Sequence, residues 1–410
     1  MKLFLIKLGK AFTTIKRDGI IVGGKRIFNY LFLFIKTILA AKPGDILIIT
    51  GGVGDSAHYR THNQAEEFNL HGLKTSVMLQ DNPLLPRYAD KYKIFIFHRT
   101  IVTPTIAKLI ANIKKQNKEI IFETDDLVFD AKHIQSTDLY KNKMTYFEKK
   151  QYEKGVGEEI LKDPYVKVCS TTTAYLAKIL EGYGKKVFIN KNKIDNHELE
   201  IAENILKTDE KKFPQELSSW NSRSLAPEEK NIYLGYFSGT ASHNRDFATI
   251  TDALVEIMKK HPQVKLLLAG PLDTDNILNK FKDRIIRLPF VSRDKYFGNA
   301  YKADIVLAPL ELGVPYCEAK SELKFFEAGI LKIPTVAVAN QTFKEAIEDG
   351  VDGFLASTTN DWIFKLEKLI ADEKLRQEMG GRARAKVMAE YTNRNSHNEE
   401  YYNYLKSKLV

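Results

Sequence analysis

The chain is 410 residues long, with 44% hydrophobic and 28% charged residues; this balance excludes a disordered or fibrous chain and allows two or three domains, each with its own core. The net charge of +10 sits at one end, since the first 42 residues hold nine bases against a single acid, Asp18. A nucleic-acid protein would spread basic surface over its folded domains, so no nucleic-acid partner is expected.

Residues 1–42 interleave these bases with apolar residues and end in a 15-residue apolar run, 27–41, interrupted by Lys36. A membrane-spanning helix needs about 20 apolar residues, and no small-residue cleavage site stands out. The segment reads as a basic amphipathic leader lying on an anionic membrane surface. The alternative is a pair of helices packed on the folded body. In either case Gly19, Gly23 and Gly24 are expected to divide it into two helices.

From Lys42 onward, short apolar strands alternate with helices. A strand over 45–50 enters the glycine turn Gly51-Gly52-Val53-Gly54, and a helix follows over 56–71. The strict G-x-G-x-x-G spacing is absent, so no dinucleotide fingerprint is present. His58 and His62 are spaced i, i+4, but no third ligand is in view and no metal is expected. A strand over 93–97 delivers His98 and Arg99 at its carboxyl end, the edge at which open α/β sheets bind ligands. After a helix over 103–116, the strand 119–123 similarly delivers Asp125 and Asp126, which serve equally well as a cap or turn. Strands at 167–169, with Cys169, and 186–189 complete a Rossmann-type half. The only other cysteine, Cys317, is far away in sequence, as suits a reducing cytoplasmic setting. Residues 206–230 are polar and aperiodic and read as a linker.

The pattern restarts at 231–237, a strand entering the turn Ser238-Gly239-Thr240, and continues with strands at 264–269, 284–288, 304–309 and 335–339. Asp273-Thr274-Asp275 matches the D-x-D of metal-dependent sugar-nucleotide enzymes, but its turn-rich setting predicts a helix cap. Ser321 is a suitable N-cap for a helix over 322–331, on which Lys320, Lys324 and Glu327 would share one face and Leu323, Phe326 and Ile330 another. Lysines at a helix N-terminus are disfavoured by roughly 0.3–1 kcal/mol each. An anion reverses that sign, so Lys320, Lys324 and the backbone of Glu322, Leu323 and Lys324 form a candidate phosphate site. Helices over 361–388 and 394–408 close the chain.

The segments Gly235-Tyr-Phe-Ser-Gly-Thr240, His243-Asn-Arg-Asp-Phe247, Ala308-Pro-Leu310, Lys320-Ser-Glu-Leu-Lys-Phe-Phe-Glu327-Ala-Gly329 and Pro334-Thr-Val-Ala337 resemble the nucleotide-binding domain of GT-B glycosyltransferases, in particular the retaining family 4. A looser likeness to the acceptor-side domain runs through Gly51-Gly-Val-Gly54, Thr124-Asp-Asp-Leu-Val-Phe-Asp130 and Phe188-Ile-Asn190. The resemblance implies an α/β GT-B fold: two Rossmann-like domains, 43–205 and 231–390, facing across a cleft, with 391–410 packing back on the first. It implies a nucleotide-sugar donor, a glycan or lipid-linked acceptor, no cofactor, no metal, and work at the cytoplasmic face of the plasma membrane.

By the same resemblance Glu327 takes the ribose hydroxyls and Arg245 contacts the diphosphate. The resemblance makes Glu327 the second acid of the family's paired-glutamate motif; the first falls at Ala319, so either the adjacent Glu318 substitutes or Lys320 and Lys324 replace it. The expected catalytic residues are His98, Arg245 and Lys324. Donor contacts are expected from Gly52, Gly239, Thr240, Arg245, Lys320, Ser321, Glu322, Leu323, Lys324 and Glu327, and base recognition near 289–293. Arg60, Arg99, Asp125 and Asp126 are expected on the acceptor side. Two other classes fit the sequence: a sugar-nucleotide epimerase, and a catalytically silent scaffold of a glycan-assembly complex.

Overall fold

A computed structural model describes residues 2–40, 42–52, 54–136, 140–141, 144–208, 231–239 and 243–410. Most of the expected linker, Val53 of the first glycine turn and Thr240 lie outside the described residues. The chain forms two compact units: Met1–Lys193 with Ala319–Ser321 and Ser396–Val410, and Ile194–Glu318 with Glu322–Asn395. The first boundary falls before the helix Asn196–Thr208, which the sequence reading placed in the first half.

The first unit is built on a parallel six-stranded sheet of β1 (Ile46–Thr50), β2 (Thr75–Leu79), β3 (Ile94–His98), β4 (Glu119–Glu123), β5 (Val168–Thr171) and β6 (Lys186–Ile189), in the order β2-β1-β3-β4-β5-β6. β1 and β3 are buried throughout, as near-continuous Ile, Leu and Phe runs require when helices cover both faces. β2 escaped the sequence pattern because its edge position leaves Thr75, Ser76 and Val77 half-buried. The last helix, Glu399–Ser407, inserts Tyr401, Tyr402 and Leu405 into the core formed by Ile46, Ile94, Ile121 and Phe188. Tyr401 stacks on Phe188 at 4.9 Å between ring centroids.

The leader is a helix over Lys2–Ala40 broken at Gly19, whose φ of 77° is a left-handed conformation that favours glycine. Gly23 and Gly24 do not break it. Instead, a Cβ on Gly23 would lie 2.9 Å from Ile15 Cα, so this glycine admits close approach of the two helical segments. Tyr30 donates a 2.6 Å hydrogen bond to Asp81, which ties the leader to the first unit. Its outer side chains include exposed Phe12, Ile20, Ile21, Phe28, Phe32 and Ile35. Among the described residues, no helix is long and apolar enough to cross a membrane.

The second unit holds a second parallel sheet: β7 (Ile232–Phe237), β8 (Val264–Ala269), β9 (Ile285–Leu288), β10 (Ile305–Ala308), β11 (Thr335–Val338) and β12 (Phe354–Ala356), ordered β12-β11-β10-β7-β8-β9. Chain order therefore reverses between β7 and β10, and in such sheets the crevice beyond the carboxyl ends at that reversal is where ligands bind. The helical stretch expected over 361–388 is two helices, Thr359–Ala371 and Glu373–Glu390, each with its own cap, Thr358 and Asp372. Gly380 is required inside the second, since a Cβ there would lie 2.0 Å from the carbonyl oxygen of Lys332.

Candidate functional site

In the first unit, neighbouring strands bring Thr50, His98, Glu123 and Ser170 into one register at the carboxyl edge of the sheet. His98 is only 1% exposed. Its Nδ1 lies 3.2 Å from Thr50 Oγ1 and its Nε2 3.1 Å from Ser56 Oγ. Ser56 donates to Asp125 at 3.0 Å, which assigns the Nε2–H of His98 as the donor to Ser56. Burial holds the His98 imidazole below its ordinary range despite Asp125. Burial alone would raise the Asp125 carboxyl, but Arg99 and His98 hold it well below the carboxylate range. Arg99 binds Asp125 through Nε and Nη2, each at 2.7 Å, from a left-handed backbone with φ 45°. That backbone explains the glycine turn: a Cβ on Gly51 would lie 2.0 Å from the Arg99 carbonyl oxygen, whereas one on Gly52 would meet nothing. Gly51 is thus the glycine that this packing requires, while the space at Gly52, an expected donor contact, is open.

Three acceptor-side expectations need correction or refinement. Arg60 is 1% exposed. It pairs with Glu123 at 2.8 Å and donates to the Asn190 carbonyl at 2.6 Å, a structural tie inside the first unit rather than an acceptor contact. Glu123 also accepts from Ser170, and burial pushes its carboxyl up to about 7. Asp126 caps the turn Leu127–Phe129 through the Leu127 amide, while its other oxygen accepts from Lys320 Nζ at 2.8 Å. Arg99, 23% exposed, and half-buried Ser56 are more accessible members of this cluster than His98.

The expected phosphate helix is shorter than its sequence suggests. It covers Leu323–Gly329, with Glu322 rather than Ser321 at the N-cap and no side-chain capping bond. Lys320 and Ser321 therefore lie off it, and Ser321 Oγ accepts from Asn192 at 3.0 Å. Glu322 is buried and hydrogen-bonded to the Tyr391 hydroxyl. Glu327 is not on an open charged face either; it is 6% exposed. Its carboxylate accepts from Tyr296 Oη at 2.6 Å and Arg293 Nη1 at 2.7 Å. Arg293 is held in turn by Glu198 through Nε, at 2.7 Å.

Half-buried Lys324 places its Nζ 5.3 Å from the centroid of the Tyr236 ring. Arg245 is 64% exposed and pairs with Glu311 at 2.8 Å, which follows β10 directly. Gly239 lies just past β7, where Ser238 carries a second close approach: a Cβ on Gly270 would sit 1.9 Å from its carbonyl oxygen. Glu318 accepts from the Gly313 amide at 2.9 Å within its own loop, and Ala319 is fully buried. Asp275 caps Asn276–Arg284, and Asp273 bonds Asn244. His58 and His62 fall in a π-helical stretch, His58–Asn63, where His62 is exposed and His58 half-buried. Sequence reasoning missed Glu198, Tyr296 and Ser56, whereas Asp246 and Arg293 lay in stretches it had marked without being assigned a role.

Two α/β units on parallel sheets, the second with its polar cluster at the strand-order reversal, define the class of GT-B proteins. The chain aligns with Anabaena HepE in complex with UDP and glucose at 14% identity and a TM-score of 0.58, covering 89% of this chain and 100% of that one. Sucrose-phosphate synthase of Thermosynechococcus elongatus aligns at 14% identity and 0.56, over 88% of this chain and 100% of that one. A glycosyltransferase of Rickettsia africae aligns at 14% and 0.55, over 90% and 99%. No curated protein matches in sequence. Residues 232–372 match the family model described as Glycosyl transferases group 1. The likeness shows the GT-B fold, and within the second unit the segment 232–372 is similar to glycosyl transferases group 1.

Proposed function

We propose that this glycosyltransferase moves a sugar from a nucleotide-sugar donor to a lipid-linked or other surface-glycan acceptor, with retention and without a metal, at the cytoplasmic face of the plasma membrane. The observation that carries the donor assignment is the coincidence of the family segment, 232–372, with the crevice at the β7–β10 reversal. Glycosyl transfer builds negative charge on the departing diphosphate, which positioned cations stabilise. Lys324 and Arg245 are the cations for that work. Glu327 has about four lone-pair sites; Tyr296 and Arg293 each take one. Those two bonds hold the carboxylate in place, and an ionised carboxylate is the acceptor that ribose hydroxyls require.

The membrane assignment rests on the leader. Its bases and its exposed Phe12, Phe28, Phe32 and Ile35 suit an anionic leaflet, to which the helix would lie parallel. Acceptor chemistry belongs on the first unit, with Arg99, Asp125 and Ser56 as the groups for it. Because the Anabaena neighbour was crystallised in complex with UDP, UDP-sugars head a thermal-shift panel of nucleotide sugars. A donor at 100 times its Kd should stabilise the chain by about 2.7 kcal/mol. Turnover of that donor should persist in EDTA; its loss, with rescue by manganese, would overturn the metal-free mechanism. Ala319 in place of the first acid favours a second reading, a silent scaffold. Donor binding without turnover against any glycan-lipid acceptor would select it.

A further inference from the structure

His243 and Asp246 form a dyad in the second unit, beside the reversal of strand order. His243 Nδ1 lies 2.9 Å from Asp246 Oδ2, and Asp246 is 4% exposed. The other carboxylate oxygen, Oδ1, accepts from the Glu311 amide at 3.2 Å and from Cys317 Sγ at 3.3 Å. One buried carboxylate thus joins the segment after β7, the loop after β10 and the short helix Pro315–Glu318. Burial alone would raise the Asp246 carboxyl, but the His243, Cys317 and Glu311 bonds hold it below the carboxylate range, so it is an anion at neutral pH. An anion at that distance favours the protonated imidazole. Tyr236 connects the dyad to the phosphate-side lysine: its hydroxyl donates to the His243 carbonyl at 3.5 Å, and Lys324 lies over its ring.

We propose that His243, held as an imidazolium by the positioning residue Asp246, is a diphosphate-binding cation of this crevice, acting beside Lys324. The inference rests on the nucleotide-sugar reading and deepens it, because it makes donor binding depend on pH. Arg245, the basic residue of the same turn, is already paired to Glu311 and largely exposed, which leaves the inner position to the imidazole. The charged and titratable groups around the dyad are Arg245 on its own helix, Glu311 and Cys317 after β10, Tyr236 on β7, Asp273 through Asn244, and Lys324. Asp246 is hydrogen-bonded to the ring at 2.9 Å.

The experiment is calorimetric titration of the full chain with UDP, GDP, CDP, ADP and dTDP between pH 6 and 9, repeated for His243→Gln and Asp246→Asn. Diphosphates themselves take up a proton near pH 6, so the readout is the difference between wild type and variant. For whichever nucleotide binds, His243→Gln should weaken affinity about tenfold at pH 6, the size of one charge-assisted hydrogen bond, and leave it unchanged at pH 9. Asp246→Asn should move the pH midpoint of wild-type binding downward, whereas a merely structural role would lower affinity equally at every pH. The parent nucleoside, lacking phosphate, should bind His243→Gln and wild type alike. Equal diphosphate affinity and pH slope in wild type and His243→Gln overturns the inference and leaves the nucleotide-sugar reading intact. Should Asp246→Asn fail to fold, the half-buried His243 substitution decides alone. Binding of none of the five by wild type overturns both.

Discussion

Replacing Glu327 by Gln separates a charge that holds the fold from one that holds a ligand. The carboxylate accepts two charge-assisted or short hydrogen bonds, from Arg293 at 2.7 Å and Tyr296 at 2.6 Å, in a site where Glu327 is 6% exposed. Gln retains one acceptor oxygen and turns an N–H₂ group toward the other donor, so one such bond is lost, worth about 1.5–3 kcal/mol. For a domain of this size that corresponds to a drop in melting temperature of roughly 3–12 °C. Glu198 shares Arg293 at 2.7 Å, so the double substitution with Glu198→Gln should depart from additivity by about 0.5–3 kcal/mol. The assay is urea and thermal unfolding of the four proteins, with donor affinity measured on the folded fraction. A Glu327→Gln protein that melts with wild type would refute the structural part of the reasoning. Unchanged donor affinity would refute the ribose contact.

Lys324→Ala removes a cation at the developing diphosphate, so kcat should fall more than donor affinity does; steady-state kinetics at saturating donor would read it, and an unchanged kcat would remove Lys324 from the chemistry. Replacing exposed Phe28, Phe32 and Ile35 together by serine should release the chain from anionic vesicles in a flotation assay without loss of folding, since these side chains are 67%, 57% and 55% exposed. His98 is held below the ordinary 6.5 of an unfolded histidine. Above that pH its contribution to stability is fully present, and it is lost as pH falls below 6.5 because only the unfolded state takes up the proton. Urea midpoints should therefore drop on acidification from pH 6.5, and less so in His98→Gln. Tyr401→Ala, which empties a fully buried position against Phe188, should cost the first unit about 3–5 kcal/mol, and a smaller loss would mean that the last helix is only loosely docked.

The strands were legible because burial on both faces of a parallel sheet writes itself into consecutive residues: β4 and β8 have the bounds that their Val, Ile, Leu and Phe runs predict. Gly19 announced the break in the leader, and Asp275 its own capping role, since both depend only on local backbone geometry. Strand order was not legible, and it is strand order that marks the crevice at β7 and β10. Nor were the partners of the charges. Arg60 looked like a ligand-facing base until the fold set it against Glu123, 63 residues away, and the anchor of Glu327 depends on an Arg293–Glu198 contact across 95 residues. A charge reads as exposed in sequence because its solvation is cheap in the unfolded chain. Only tertiary structure decides which charges are taken out of water, and a buried charge must then find its counter-ion wherever the topology has placed one.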